Sequence, residues 1–547
     1  MFQRFNKNAA AQAAQAKQAN EPRPESESSE ARRIPPARDH HHEEPKRKRP
    51  GADQELALLD AIAQLSQQAE TSTAPVRSET QILLDYTKAA KLFRQPGGEP
   101  FIVFDGVSGR VTFELRAEEC AHFLAGLYQS RENHAPRRQA VQEALRELEH
   151  RAHFQENMAM LHLRRALTRE GIWLDLCDGS GRVVQIAPQG WRIVSHAPVY
   201  FKHCRHQMPL PAPEPEGDRE MLEYLLAPTD RMDLMLLFGW IMAAYNPMIP
   251  TPMLVLTGPQ GSGKTTMAKI LRMLTDPSHT EVMGLPGEAV FAQVLEKHAV
   301  PVFDNLGRLT ARQSNMLCRG VTGLSYVKRR HYSNGEDVVV GARRPMILTA
   351  LETPSEAPDW LDRALVLKLQ LGKVRAEEKR IMDRVHIHYA KFLGLLLADL
   401  SATMAMYKQM PGSLNLPRMA DFAAWGRAMM AGKHEDPEYF LQALGRNTRQ
   451  KNEALLERDE TGHAIVSFMA NKTEWKGKMD DLAQALWPMA YRQKRLTAVQ
   501  LGIYMRRMQT NLEQYGIEVK ISRSHGIRMV ELKQTTFFQP QPGTHES

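Results

Sequence analysis

The middle of the chain is marked by short, wholly apolar runs that each stop at a polar or turn-forming residue. Met253–Leu256 stops before Thr257-Gly258, Val300–Phe303 before Asp304-Asn305, Pro345–Leu348 before Thr349, and Ala364–Leu367 before Lys368. Such runs, alternating with helical stretches, predict the strands of an α/β module between about 219 and 370. Upstream, Phe101–Phe104 and Arg110–Glu114 read as strands around the turn Asp105-Gly106, and 117–129 and 137–150 as helices. Short strands follow around Met160, Trp173, Val184, Trp191 and Val199. Leu234–Ala244 is apolar all round but too short to span a bilayer, so a buried helix is expected. Near the C-terminus the pattern is helix (498–514), strand (516–521), turn (524–526) and strand (527–532), the order of a winged helix.

These patterns divide the chain. Residues 1–78, rich in Ala, Gln, Glu, Ser and Pro, read as a disordered low-complexity tail, with one transient helix near 54–68. Residues 79–208 read as a small accessory α/β domain, and the proline-rich 209–218 as a stiff linker. An ATPase core is expected over 219–375, a helical lid over 376–460 and a winged-helix-like domain over 461–547.

Composition narrows the partners. The net charge of +8 favours an acidic partner, nucleic acid first. Between 461 and 547 twelve basic side chains face seven acidic ones, an excess suited to phosphate contact, although winged helices also bind proteins. The four cysteines form no C-x-x-C pair, which argues against a disulfide scaffold or zinc knuckle and fits a reducing cytoplasm. No signal peptide is visible, and a soluble protein is expected. Lys46–Arg49 could contact DNA phosphates or serve in targeting, or simply solvate a linker. His203 and His206 flank Cys204, where a metal site is conceivable and surface histidines are the plainer reading.

The chemistry centres on Gly258–Thr265, which fits G-x-x-x-x-G-K-[ST] between an apolar strand and a helix. Gly258, Gly261, Ser262 and Gly263 would let backbone N–H groups close around phosphate oxygens, with Lys264, Thr265 and Thr266 at the helix start. Lys264 would reach the β- and γ-phosphates, and Thr265 would hold Mg²⁺ together with Asp304, the acid ending a neighbouring strand. ATP and Mg²⁺ are therefore the expected cofactors. Asn305 stands where a second acid often polarises the attacking water, so either hydrolysis is slow or another group is the base. Thr349 is placed to sense the γ-phosphate or its water, and Arg363 to act as an arginine finger, with a subunit boundary as one possible setting. Lys328, Arg329 and Arg330, interleaved with Tyr326 and Tyr332 before Asn334-Gly335, predict a basic hairpin. That hairpin suits single-stranded DNA, and also suits an edge strand charged against aggregation.

The order phosphate loop, acid strand, basic hairpin, polar-ended strand and arginine resembles the AAA+-like superfamily 3 helicases and the phage- and plasmid-type replication ATPases. Gly190-Trp191, Pro198–Phe201, Phe303–Asn305, Leu361–Val366 and Pro417–Asp421 more closely resemble a group of bacterial mobile-element ATP-binding proteins. The resemblance covers about residues 80–450 and implies an α/β fold with an AAA+-like P-loop core. It also implies a homo-oligomeric ring, a hexamer favoured, with ATP at subunit interfaces and a hairpin facing a central channel. Asn305 and Thr349 depart from that pattern, which usually has a second acid and an asparagine. The expected function is an ATP-dependent DNA-translocating motor, a helicase of mobile-element replication. An ATP-gated loader or initiator with slow hydrolysis is the alternative, and a kinase or signalling ATPase a weaker third.

Overall fold

The computed structural model describes residues 77–535, apart from 107–108, 227–229, 330–336, 372–376, 411–415, 490–495 and 525–526, and gives no side-chain surroundings for 324–342. The tail expected over 1–78 therefore lies almost wholly outside the described residues. The fold is mixed α/β.

The first element group is α1 (Glu79–Tyr86), the antiparallel strands β1 (Lys91–Arg94), β2 (Pro100–Asp105) and β3 (Arg110–Glu114), and helices α2 (Glu118–Glu132) and α3 (Arg138–Phe154). These pack around their own apolar cluster, including Leu83, Phe104, Leu124 and Leu148. The short β4 (Leu161–His162) follows, then an antiparallel meander of β5 (Arg165–Thr168), β6 (Gly171–Asp175), β7 (Val183–Ala187) and β8 (Gly190–Val194), and then β9 (Tyr200–Phe201) beside β4.

Helices α4 (Arg219–Leu226) and α5 (Arg231–Tyr245) lead to β10 (Met253–Thr257) and α6 (Lys264–Thr275). Next come α7 (Glu288–Lys297), β11 (Val302–Leu306), α8 (Ala311–Thr322), the paired β12 (Leu324–Arg329) and β13 (Asp337–Ala342), β14 (Ile347–Ala350), α9 (Pro358–Leu361) and β15 (Ala364–Lys368). The predicted apolar runs become a parallel sheet in the order β11-β14-β10-β15. Its side chains alternate between two cores. Leu254, Leu256, Ile347, Leu365 and Leu367 face one cluster with α5 and α6, while Met253, Val255, Leu348 and Ala364 face the other with α7 and α8. With both faces covered, these strands read as continuous apolar runs rather than as alternation.

The chain then runs through α10 (Glu378–Gln409), α11 (Ala420–Gly432) and α12 (Pro437–Arg458). It ends in α13 (Glu460–Met469), β16 (Glu474–Lys478), α14 (Met479–Leu486), α15 (Ala498–Tyr515), β17 (Ile517–Ser524) and β18 (Ile527–Gln534), with sheet order β16-β18-β17. By length and composition α10 could cross a membrane, but 56% of its most apolar window is buried, as befits a core helix. Helix α5 is buried along nearly its whole length, as its composition predicts.

The linker expected at 209–218 does not divide the core. Leu210 is 1% exposed, its N–H donates to Leu176 O at 2.8 Å, and Glu214 N–H donates to Ala390 O on α10 at 3.0 Å. Ile172, Leu174, Val184 and Ile186 of the meander share one cluster with α5, α6 and α10. Extended proline-rich chain thus lies along the surface of α10 instead of spacing two bodies.

A buried polar knot fixes this arrangement. The Arg164 and Asp276 side chains are 0% and 1% exposed and pair at 3.2 Å. Asp276 Oδ2 also accepts from Ala299 N–H at 2.8 Å and Val300 N–H at 3.0 Å. Burial opposes ionisation of Asp276, but Arg164, Arg272 and Arg165 hold its carboxyl below the usual range. Beside it Arg272 donates to His298 Nδ1 at 2.7 Å, and His298 stacks on His206 with centroids 3.9 Å apart.

Asp276→Ala strands Arg164 as a buried, unpaired cation, and about 3–5 kcal/mol of stability should be lost in urea unfolding. Burial, with Arg272 and His206 alongside, pushes His298 down to about 3, so the folded chain keeps that imidazole neutral. The unfolded chain protonates it below about 6.5, so its contribution is full above that pH and declines from there toward about 3. Urea unfolding across that window should show a shallower pH slope in His298→Gln than in the parent.

Candidate functional site

Strand β10 is the central strand that delivers the chain to the phosphate loop. Gly258, Gly261 and Gly263 all have positive φ, at 144°, 78° and 82°. At Gly258 a Cβ would meet Leu369 O at 2.3 Å, so this turn needs glycine for space as well as for conformation. Gly263 precedes α6, whose first residues are Lys264, Thr265 and Thr266. Lys264 Nζ donates to Gly258 O at 2.8 Å and to Pro259 O at 2.7 Å, and lies 3.5 Å from Ser262 Oγ. Its ammonium is thus held at the mouth of the loop. Partial burial lowers its pKa, and the charge of Asp304 opposes that shift.

Two strands away, β11 carries Asp304 and Asn305 across a bulge between Phe303 and Leu306. Thr265 Oγ1 donates to Asp304 Oδ1 at 3.0 Å. Thr349, 1% exposed on β14, also donates to Asp304 Oδ1, at 2.5 Å, and its hydroxyl accepts from Asn305 N–H at 2.8 Å. Thr349 is therefore a strut for the acid strand, bonded to Asp304 and Asn305. Asn305 has φ +56°, in the left-handed region. Asparagine enters that region at lower cost than most side chains, whereas glutamate gains no such allowance. The departure at position 305 thus has a backbone reason.

Thr265 and Asp304 suit a divalent cation: a hydroxyl and a carboxylate oxygen 3.0 Å apart at a phosphate loop are hard oxygen donors that could share one Mg²⁺. Sequence reasoning did not find Glu378, at the start of α10. It accepts from Thr266 Oγ1 at 3.1 Å and from Lys269 Nζ at 2.8 Å. The only signal was an acid in the first turn of a helix more than a hundred residues away.

Arg363 does not join this group. Ala364 pairs with Met253, and Met253 N–H donates to Arg363 O at 2.8 Å, so Arg363 sits at the opposite end of β10 from the loop. Five strand residues at about 3.3 Å each separate the two by roughly 16 Å. Its side chain ion-pairs with Asp359 and donates to Asp359 O at 2.9 Å. Arg418 pairs with the same Asp359 at 2.7 Å and with Asp362 at 2.5 Å.

Lys328 and Arg329 lie on β12, which pairs antiparallel with β13 from Leu324↔Ala342 to Arg329↔Asp337. Arg330 and the turn Asn334-Gly335 lie outside the described residues. His203 and His206 do not converge on Cys204: His203 Nε2 bonds Asp175 Oδ2 at 2.7 Å, and His206 stacks on His298. Among the described residues, the side chains close enough to share a metal are instead Asp175, Cys177 and His203.

Asn305→Val should destabilise the chain by about 1–2 kcal/mol in chemical unfolding, because a β-branched side chain is strained at that φ. Asn305→Gly should unfold within about 0.5 kcal/mol of the parent.

No curated protein matches the chain. Among solved structures, the apo A form of the NrS-1 C-terminal region aligns with TM-score 0.39 and 11% identity, over 84% of this chain and 100% of that one. A second structure of that region gives 0.37 and 14%, over 83% and 98%. A JCV helicase bound to a thiazolopyridine-containing acetamide gives 0.20 and 11%, over 40% and 72%. Scores this low carry no argument. The family models are more direct: the actinomycete integrative conjugative element replication protein matches residues 223–434, and the RepA C-terminal domain of the same elements matches 461–542. Together the two span more than half of the sequence, and the chain belongs to the replication proteins of actinomycete integrative conjugative elements.

Proposed function

We propose that this replication protein is an ATP-dependent DNA-translocating motor of superfamily 3 type, a helicase of element replication working in the cytoplasm. The observation that carries the reading is the junction of the glycine loop, Lys264, Thr265, Asp304 and Thr349 at the C-terminal edge of one parallel sheet. In this reading residues 219–375 form a P-loop AAA+-like core, 376–460 its helical lid and 461–547 a winged helix.

The loop amides and Lys264 bind the triphosphate, while Thr265 and Asp304 would hold Mg²⁺, which would supply positive charge against the phosphate oxygens. Thr349 keeps the Asp304 carboxylate aimed at the loop and fixes the backbone of Asn305. The exposed Asn305 amide is free to orient the attacking water. Arg363, remote from its own loop, is suited to a neighbouring copy's site in a homo-oligomeric ring, a hexamer favoured. Lys328, Arg329 and Arg330 then grip single-stranded DNA in the channel. Asn305 supports a second reading, an ATP-gated loader or initiator with slow turnover, because asparagine cannot take the water's proton.

Lys264→Ala should abolish both ATP binding and displacement of a forked duplex. Arg363→Ala should still bind ATP but lose on the order of 10³ in turnover. Mixing the two inactive variants should restore part of the turnover, since one supplies an intact loop and the other an intact arginine. An Arg363→Ala protein that hydrolyses at the parental rate would exclude the trans role. DNA-stimulated turnover without strand displacement would favour the loader.

A further inference from the structure

Helix α15 buries Leu501, Met505, Met508 and Leu512 against the body and turns a second stripe outward. Val499, Gln500, Ile503, Arg506, Arg507 and Thr510 are all exposed on that side. Val499 and Ile503 are 52% and 62% exposed. The N-terminus of the helix is held by a capping box between Thr497 and Gln500, so the stripe begins on a fixed turn.

The neighbouring hairpin of β17 and β18 adds to the same surface. Ile527, beside its tip, is 45% exposed, and Arg523 pairs with Arg528 across the strands. Arg528 lies along α15: a Cβ at Gly502 would stand 3.4 Å from its guanidinium nitrogen.

The charges here are unspent. Among the described residues Arg506, Arg523 and Arg528 have no acidic partner, and Arg507 only overlies the Tyr504 ring. Two acids of this unit are engaged elsewhere: Glu518 pairs with Lys520 at 3.1 Å and Glu531 with Lys476 at 3.1 Å. The first acid along α15 is Glu513, in its last turn.

We propose that the outward stripe of α15, flanked by the β17–β18 hairpin, is a duplex-DNA reading surface, with α15 in the major groove. The groove admits one α-helix; arginines reach guanine edges or phosphates, and exposed aliphatics meet thymine methyls. A single strand is the poorer fit, because binding it needs exposed aromatic platforms. The aromatics of α15 are Tyr504, which is buried, and Tyr515, which is half-buried. The stripe belongs to a different element from the glycine loop and from β12, so the assignment does not rest on the ATPase reading.

The test uses the full chain without nucleotide and a labelled duplex pool of about two helical turns (roughly 21 base pairs) with a randomised centre. Fluorescence anisotropy across a salt series gives affinity and slope, and sequencing of the bound fraction gives selectivity. Arg506→Ala/Arg507→Ala should weaken duplex binding about tenfold or more and reduce the log–log salt slope by about two. Ile503→Gln should change affinity by only about threefold or less, yet lose enrichment of thymine at one position. Lys264→Ala should bind the pool as the parent does, which separates this surface from failure of the ATPase reading. Matching thermal unfolding of each variant guards against misfolding, which is not expected at exposed positions. The proposal is overturned if the double variant binds with parental affinity and slope. It is equally overturned if the parent binds no duplex at low salt, or if the double variant weakens binding of a single strand of the same length more than it weakens duplex binding.

Discussion

Asp276 ties together the parts on which the candidate site depends. It follows the last turn of α6, the helix that begins with Lys264 and Thr265. Its carboxylate takes the amides of Ala299 and Val300, just before the strand that carries Asp304. It also receives Arg164 from the meander upstream. A charge buried this deeply is tolerable only when fully paired, so the three segments are fixed together. The spacing between Thr265 and Asp304 at one end of the sheet is thus set partly by a carboxylate at the other end of α6.

Geometry at the site itself is a matter of short polar side chains on rigid strands. Thr349 bridges Asp304 and the backbone of Asn305, and the bulge in β11 turns both residues out of the regular pleat. Glu378 links the first turn of α10 to the helix behind the loop. Any rearrangement of that turn would be felt through Thr266, next to Thr265. The C-terminal unit shares an apolar cluster with the far face of the sheet, through Ile465 and Leu512. Its outward arginines are thereby presented from a rigid body.

The candidate nucleotide site and the proposed DNA surface lie on different elements. The glycine loop occupies the C-terminal edge of the parallel sheet, Arg363 the N-terminal edge, and the exposed stripe of α15 belongs to the C-terminal unit.

The sequence by itself determined the strands of the sheet, the glycine loop with its helix, and the acid at the end of β11. These are local signals: contiguous apolar runs, turn residues that need positive φ, and a lysine one step from its glycine. It also exposed Asn305 as a departure, but not its cause, since φ +56° and the bulge exist only once β11 is paired with β14. Tertiary structure alone decided that 209–218 lies against α10, that the meander joins the central core, and that Thr349 braces Asp304. It alone paired Arg164 with Asp276 and Thr266 with Glu378, more than a hundred residues apart in each case. The physical reason is range. Periodicity and turn chemistry act over a few residues and can be read in order, whereas partners brought together by packing leave no spacing along the chain to read.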